Sequence, residues 1–154
     1  MKKTIAIIVA VLVALVASVE GWAQFSKLRF GDYGVESISP ESFSAVKGAV
    51  WLEVTNPMEG FTVSEIWGMV YKDGVPFITG SAADFRVSSG TGKVVISGRA
   101  ALCSGVSLWT VLALIFFDPD DYSVDLYARI TLDSGASRVV EKRAMPVREL
   151  LKLI

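Results

Sequence analysis

Between Tyr122 and Leu132 the chain reads YSVDLYARITL. Val124, Leu126, Ala128, Ile130 and Leu132 fall in one phase, and Ser123, Asp125, Tyr127, Arg129 and Thr131 in the other. A period of two held this long fits a strand with one buried face. It does not fit a helix, whose apolar residues recur at three and four. A strand also needs neighbours for its backbone N–H and C=O groups, so the rest of the chain has to supply them. VWLEVTN does so, with Val50, Leu52 and Val54 alternating against Trp51, Glu53 and Thr55. KVVISGRAAL sets Val94, Ile96, Gly98, Ala100 and Leu102 in one phase. FTVSEIWGMVY alternates less evenly, and its Gly68 points to a bulge or a close backbone approach. KLRFGDYGV and ESISPESFSAV supply two earlier strand candidates. The aromatic residues Trp51, Trp67 and Tyr127 fall in strand positions, where packing between sheet faces is the expected role for most of them and ligand stacking the alternative.

Turn chemistry divides these runs. Asp73-Gly74, after Lys72, reads as a tight hairpin in which Gly74 takes positive φ. Ser88–Gly92 reads as a flexible connection, and Asp133–Ser137 as a second hairpin. Seven or eight strands at this spacing predict an all-β chain, an antiparallel β-sandwich. VWLEVTN stops at Asn56-Pro57. Pro57 has no N–H for a ladder and pushes Asn56 away from helical geometry, while an Asn side chain folds back onto nearby backbone. The pair therefore ends the strand. Gly60 is expected to let the chain swing round, so that the apolar run from Phe61 opens a strand in the facing layer.

Ser104–Asp121 breaks the pattern, with a nearly continuous apolar run from Val106 to Phe117. Ser104 suits a helix cap and Asp118-Pro119 a stop. The expectation is one short buried helix inserted at an end of the sandwich, with a buried strand as the alternative. Val106, Trp109, Leu112 and Phe116 on this run are candidates for an apolar ligand or partner surface. Val147, Leu150, Leu151 and Ile154 have helical spacing after Pro146, which predicts a C-terminal helical turn or a short strand.

Lys2 and Lys3 precede the apolar stretch Thr4–Val19, and small residues stand at Gly21 and Ala23. This is the pattern of a secretory signal peptide cleaved after Ala23. The sandwich is then a single domain over residues 24–154, placed in the periplasm or secreted. The alternative is an uncleaved inner-membrane anchor. Losing Lys2, Lys3 and Glu20 takes the formal net charge from −1 to −2. Such a chain does not attract nucleic acid through bulk charge. With Cys103 alone, no internal disulfide forms, and the core must hold the domain.

The chain contains no histidine, which removes Ser-His-Asp and Cys-His nucleophiles and the usual zinc sets. Cys103, at the end of an apolar strand, is expected to be buried and inert. SSGTGK lacks the earlier glycine and the following Ser or Thr of a phosphate loop. Asp118–Asp121 lacks the spaced oxygens of a calcium loop. No catalytic, metal or cofactor residues are assigned.

VWLEVTNPMEGFTVSEIWGMVYKDG resembles the atypical, folded late-embryogenesis-abundant proteins of type 2, also called the water-stress and hypersensitive-response domain. The family shows an apolar strand ending in Asn-Pro, a second apolar strand, a small turn and a third strand. Here these are Val50–Thr55, Asn56-Pro57, Phe61–Tyr71, Asp73-Gly74 and Val75–Gly80. The resemblance covers residues 27–147, and the Val106–Phe117 run departs from it. Similar small exported proteins occur in Gram-negative bacteria of the Bacteroidetes. The resemblance implies a fibronectin type III-like sandwich and a non-enzymatic role in water stress, with no cofactor and no catalytic residues to carry over. The expected function is protective or binding, towards envelope protein or lipid. The alternatives are a structural or adhesive subunit using an exposed sheet edge, or a carrier of an apolar ligand with Val106–Phe117 as its lid.

Overall fold

The computed structural model describes residues 27–103 and 121–151, with the backbone alone at Leu150 and Leu151. The strands are β1 (Arg29–Pro40), β2 (Ala45–Asn56), β3 (Phe61–Lys72), β4 (Val75–Ala82), β5 (Phe85–Val87), β6 (Gly90–Leu102), β7 (Tyr122–Leu132) and β8 (Ser137–Pro146). A short helix, α1 (Val147–Leu151), follows. Hydrogen bonding runs β1-β2-β6-β4-β3-β7-β8, with β5 joined to β3. Every pair is antiparallel. β1, β2 and β6 make one layer and β3, β7 and β8 the other. β4 bonds to both, so the sheet closes over itself as an immunoglobulin-like sandwich.

The alternation in the sequence explains where the core lies. Val124, Leu126, Ala128, Ile130 and Leu132 of β7 are all buried, and they share one core with Val50, Leu52 and Val54 of β2 and with Val94 and Ile96 of β6. Each fully buried Val, Leu or Ile side chain contributes roughly 1.5–3 kcal/mol. β1 shows little burial because it lies at an edge with β2 as its ladder partner. It is one strand where two candidates were expected. Bulges between Phe30 and Tyr33 and between Val35 and Ser37 absorb the phase changes that made it look like two. The end of ESISPESFSAV belongs to β2, after a turn in which Glu41 N and Ser42 N donate to Ala45 O.

β2 ends at Asn56, whose side chain is wholly buried. Its Oδ1 accepts from Met58 N at 3.0 Å. Its Nδ2 donates to Glu59 O at 3.1 Å and Ser88 O at 3.4 Å. The amide thus stands in for the ladder bonds that Pro57, exposed at the corner, cannot make. Gly60 lies at the β2–β3 corner without positive φ. A Cβ there would lie 2.6 Å from Arg86 Nη2 and 2.7 Å from Asp133 Oδ2, the tips of two exposed side chains that would have to shift. At the other end of β3, Asp73 (φ 50°) and Gly74 (φ 80°) form the doubly positive hairpin turn.

α1 follows Pro146 and buries Val147, which answers the choice between helical turn and strand. Among the described residues, no helix is long and apolar enough to cross a membrane. The leader and the Val106–Phe117 run, with Val106, Trp109, Leu112 and Phe116, lie outside the described residues.

Candidate functional site

The outer face of β3, β7 and β8 is built by two bulges. In β3, Phe61 and Val63 point inward. Between Ser64 and Trp67 the register against β7 slips, and Glu65 takes φ 54°. One extra residue reverses the side-chain phase. Beyond it Ile66 and Val70 pack against the core, and Trp67, Met69 and Tyr71 turn outward. This is why FTVSEIWGMVY alternates unevenly. Gly68 is not the bulge but the close backbone approach, the other expectation for it. It sits in register between Leu126 and Gly80, with the Asp125 carbonyl 3.2 Å from where its Cβ would be. β8 repeats the device: Val140 is inward, a slip follows opposite Val124–Leu126, Ala144 takes φ 51°, and Met145 packs against the core.

β7, which lies between these strands, fastens both bulges with its outward residues. Arg129 Nε donates to Glu65 Oε2 at 2.5 Å. Asp125 Oδ1 accepts from Ala144 N at 2.7 Å. Tyr127 stands between Asp125 and Arg129, in register with Trp67. Its ring lies 5.7 Å from the Trp67 ring at an interplanar angle of 13°. Trp67 remains 40% exposed. The expected packing of these aromatics between sheet faces is therefore corrected, since the phase reversal puts Trp67 on the solvent side. Trp51 also lies in an outward phase, on the opposite layer. Its ring is covered by Lys93 Nζ, 4.7 Å from the centroid, and Lys93 in turn pairs with Glu36 at 3.6 Å.

The polar groups around the aromatic pair are mutually satisfied. Asp125 is 8% exposed. Its Oδ2 accepts from the Tyr71 hydroxyl at 3.1 Å and lies 3.6 Å from Arg143 Nη1. Arg143 Nη2 also donates to Glu141 Oε1 at 2.5 Å. The hydrogen bond to Asp125, then loss of solvent, raises the Tyr71 hydroxyl above its ordinary value. The Glu65 bond raises Arg129, and the Glu141 bond raises Arg143. Among the described residues, no buried side-chain polar atom lacks a partner. Cys103 is half-buried rather than buried, with its thiol 3.6 Å from Met69 Sδ.

Between the layers lies an apolar cleft of about 20 Å³, lined by Leu28, Leu52, Val54, Phe61, Phe85 and Ile96 among others. That volume matches about one water and no larger guest. Among the described residues, no group of three or more His, Cys, Asp or Glu side chains is placed to hold a metal ion. The sequence motif residues separate into two places. Asn56, Pro57 and Gly60 form the β2–β3 corner, while Asp73 and Gly74 form the β3–β4 turn, a strand length away. Neither group joins the aromatic face. Reading the sequence misses Glu65, Tyr71, Asp125, Arg129, Glu141 and Arg143. The available signal was the outward row Asp125-Tyr127-Arg129, but the pairing of β3 with β7 was needed to use it.

No family model and no curated protein matches the chain. Among solved structures, the chain is similar to a protein from Archaeoglobus fulgidus, at 14% identity over 74% of this chain and 94% of that one, with a TM-score of 0.45. At that identity and score the likeness bears on neither function nor site.

Proposed function

We propose that this protein is a non-enzymatic β-sandwich of the cell envelope that acts by surface binding, in the protective role that its likeness to the type 2 late-embryogenesis-abundant proteins implies. One observation carries the binding reading. Two bulges with non-glycine residues at positive φ, Glu65 and Ala144, flank a stacked pair of an exposed Trp67 and a half-buried Tyr127 on one face. Such conformations cost roughly 1–3 kcal/mol each, and bulges re-aim side chains beside functional surfaces. The placement outside the cytoplasm rests on the leader pattern of residues 1–23.

The two alternatives draw less support. Strand addition needs an open, regular edge. β1 is bulged twice, β8 once, and both end at proline, features that blunt sheet edges. A carrier of an apolar ligand needs far more room than the 20 Å³ cleft found among the described residues, and its lid, Val106–Phe117, lies outside them. The test is co-sedimentation of the purified mature chain with isolated cell envelopes. The reading expects binding that Trp67→Ala and Tyr127→Ala abolish while thermal melting is retained. Equal sedimentation of wild type and both variants, or none by the wild type, would overturn it.

A further inference from the structure

The geometry points to a neutral oligosaccharide chain as the ligand of the Trp67–Tyr127 face, an assignment that rests on the surface-binding reading above. The first reason is what the face lacks. β3 is flanked by β4 and β5 on one side and by β7 on the other, and β7 by β3 and β8. The backbone groups of β3 and β7 are committed to ladders, and β8, the edge of this layer, is bulged and ends at proline, so an extended peptide finds no regular edge beside the aromatic pair. Recognition falls to side chains alone.

The second reason is charge. The cations nearest the aromatic pair are neutralised by neighbours: Arg129 by Glu65, and Arg143 by Glu141 and Asp125. No field of one sign is left to draw a polyanion or an anionic lipid surface. The third reason is the mix of groups. A pyranose ring carries a C–H face that lies against an aromatic ring, and a rim of hydroxyls that both donate and accept. Trp67 offers the ring. Glu65 and Glu141 offer acceptors and Arg129 and Arg143 donors, all at side chains 41–65% exposed. A few convergent polar groups around an apolar contact are what orient such a ligand. Trp51 differs in that a cation, Lys93, lies over its ring, whereas Trp67 has the Tyr127 ring stacked on it and still keeps 40% of its surface exposed.

The experiment titrates the mature chain with cellohexaose, chitohexaose and maltohexaose by calorimetry, with heparin as the polyanion. Saturable binding of at least one neutral hexasaccharide is expected, without binding of heparin. Trp67→Ala and Tyr127→Ala should each weaken it about tenfold or more, as removal of a central aromatic anchor does. Trp67→Phe should keep most of it, and Trp51→Phe should leave it unchanged. Melting curves show whether each variant is folded, and Trp67→Phe keeps the test open if Trp67→Ala is not. The assignment is overturned if no neutral hexasaccharide binds, if binding survives in Trp67→Ala, or if heparin alone binds. Failure here combined with Trp67-dependent envelope sedimentation would remove the sugar and leave the surface-binding reading standing, with a protein partner indicated. Failure of both removes both.

Discussion

Two buried polar side chains lie towards opposite ends of β3, and they do the same job with different chemistry. Asn56 closes the corner where β2 ends. Asp125 fastens the place where β8 loses its register. Asn56 is 0% exposed and bonds three backbone groups. Asp125 is 8% exposed and bonds one backbone N–H, with Tyr71 and Arg143 sharing its second oxygen. A neutral amide can be wholly enclosed once its hydrogen bonds are met. A carboxylate left in the same enclosure would lose several kcal/mol of solvation. Asp125 is therefore found near the surface, beside a guanidinium that is 65% exposed. Irregular backbone in this fold is held by whichever polar group its depth permits.

The comparison breaks most visibly at Asn56. Asn56→Ala leaves Met58 N, Glu59 O and Ser88 O without their partner in a part-buried corner. A loss of about 2–4 kcal/mol is expected from unsatisfied buried groups at roughly 1–3 kcal/mol each, partly relieved by relaxation. Urea unfolding measures it, and a loss below about 1 kcal/mol would mean that water enters the corner freely. Asp125→Ala should cost less, about 1–2 kcal/mol, because one backbone N–H loses its acceptor while Tyr71 and Arg143 can turn to solvent. If Asp125→Ala proved the more damaging, depth would not be what separates the two sites.

How much of this was legible in the residues follows the same division. Asn56 announces itself, because Asn-Pro at the end of an alternating strand has few other uses. β2, β6 and β7 were readable for the same local reason, and Asp73-Gly74 carries its turn in two residues. The aromatic face was not readable, because the bulge at Glu65 has no local code. A glycine or asparagine would have marked the positive φ. Here a glutamate takes it, held by Arg129 at a sequence separation of 64. Gly68 reads as either a bulge or a close backbone approach; it is the second, three residues from where the bulge lies. Asp125 looked like any outward polar residue of a half-buried strand, and its enclosure comes from β8 and Tyr71, both distant in sequence. At Gly60, the side chains that a Cβ would displace belong to Arg86 and Asp133, each far along the chain.

A gentler substitution sharpens the Asp125 side of the comparison. Ala144 holds φ 51°, where a Cβ costs roughly 1–2 kcal/mol. Ala144→Gly removes that strain but adds about 0.4–1 kcal/mol of freedom to the unfolded chain. The balance is a gain of about 0.5 kcal/mol, read as a rise in urea midpoint at unchanged slope. A clear loss would show that the Asp125 bond does not hold Ala144 in this conformation.

The smallest effect separates the two ends by pH. Beside the Asn56 corner, Arg86 binds Asp133 through two bonds of 2.5 and 2.6 Å and holds its carboxyl below the ordinary value. A lowered carboxyl stabilises the fold above its unfolded value of 3.8, and that contribution is lost as pH falls through the folded value. At the other end, Tyr71 is raised above 10.0, first by its bond to Asp125. A raised hydroxyl stabilises the fold below 10.0, and the contribution is lost as pH rises through its folded value. The two ends should therefore weaken in opposite limbs of a stability–pH profile. Arg86→Met should flatten the acid limb and leave the alkaline one, and Tyr71→Phe should do the reverse. Both pairs are partly exposed, so the changes are small and shrink with salt. If either variant altered both limbs alike, the two ends would not be electrostatically independent, and the contrast between Asn56 and Asp125 would have to be recast as one coupled network along β3.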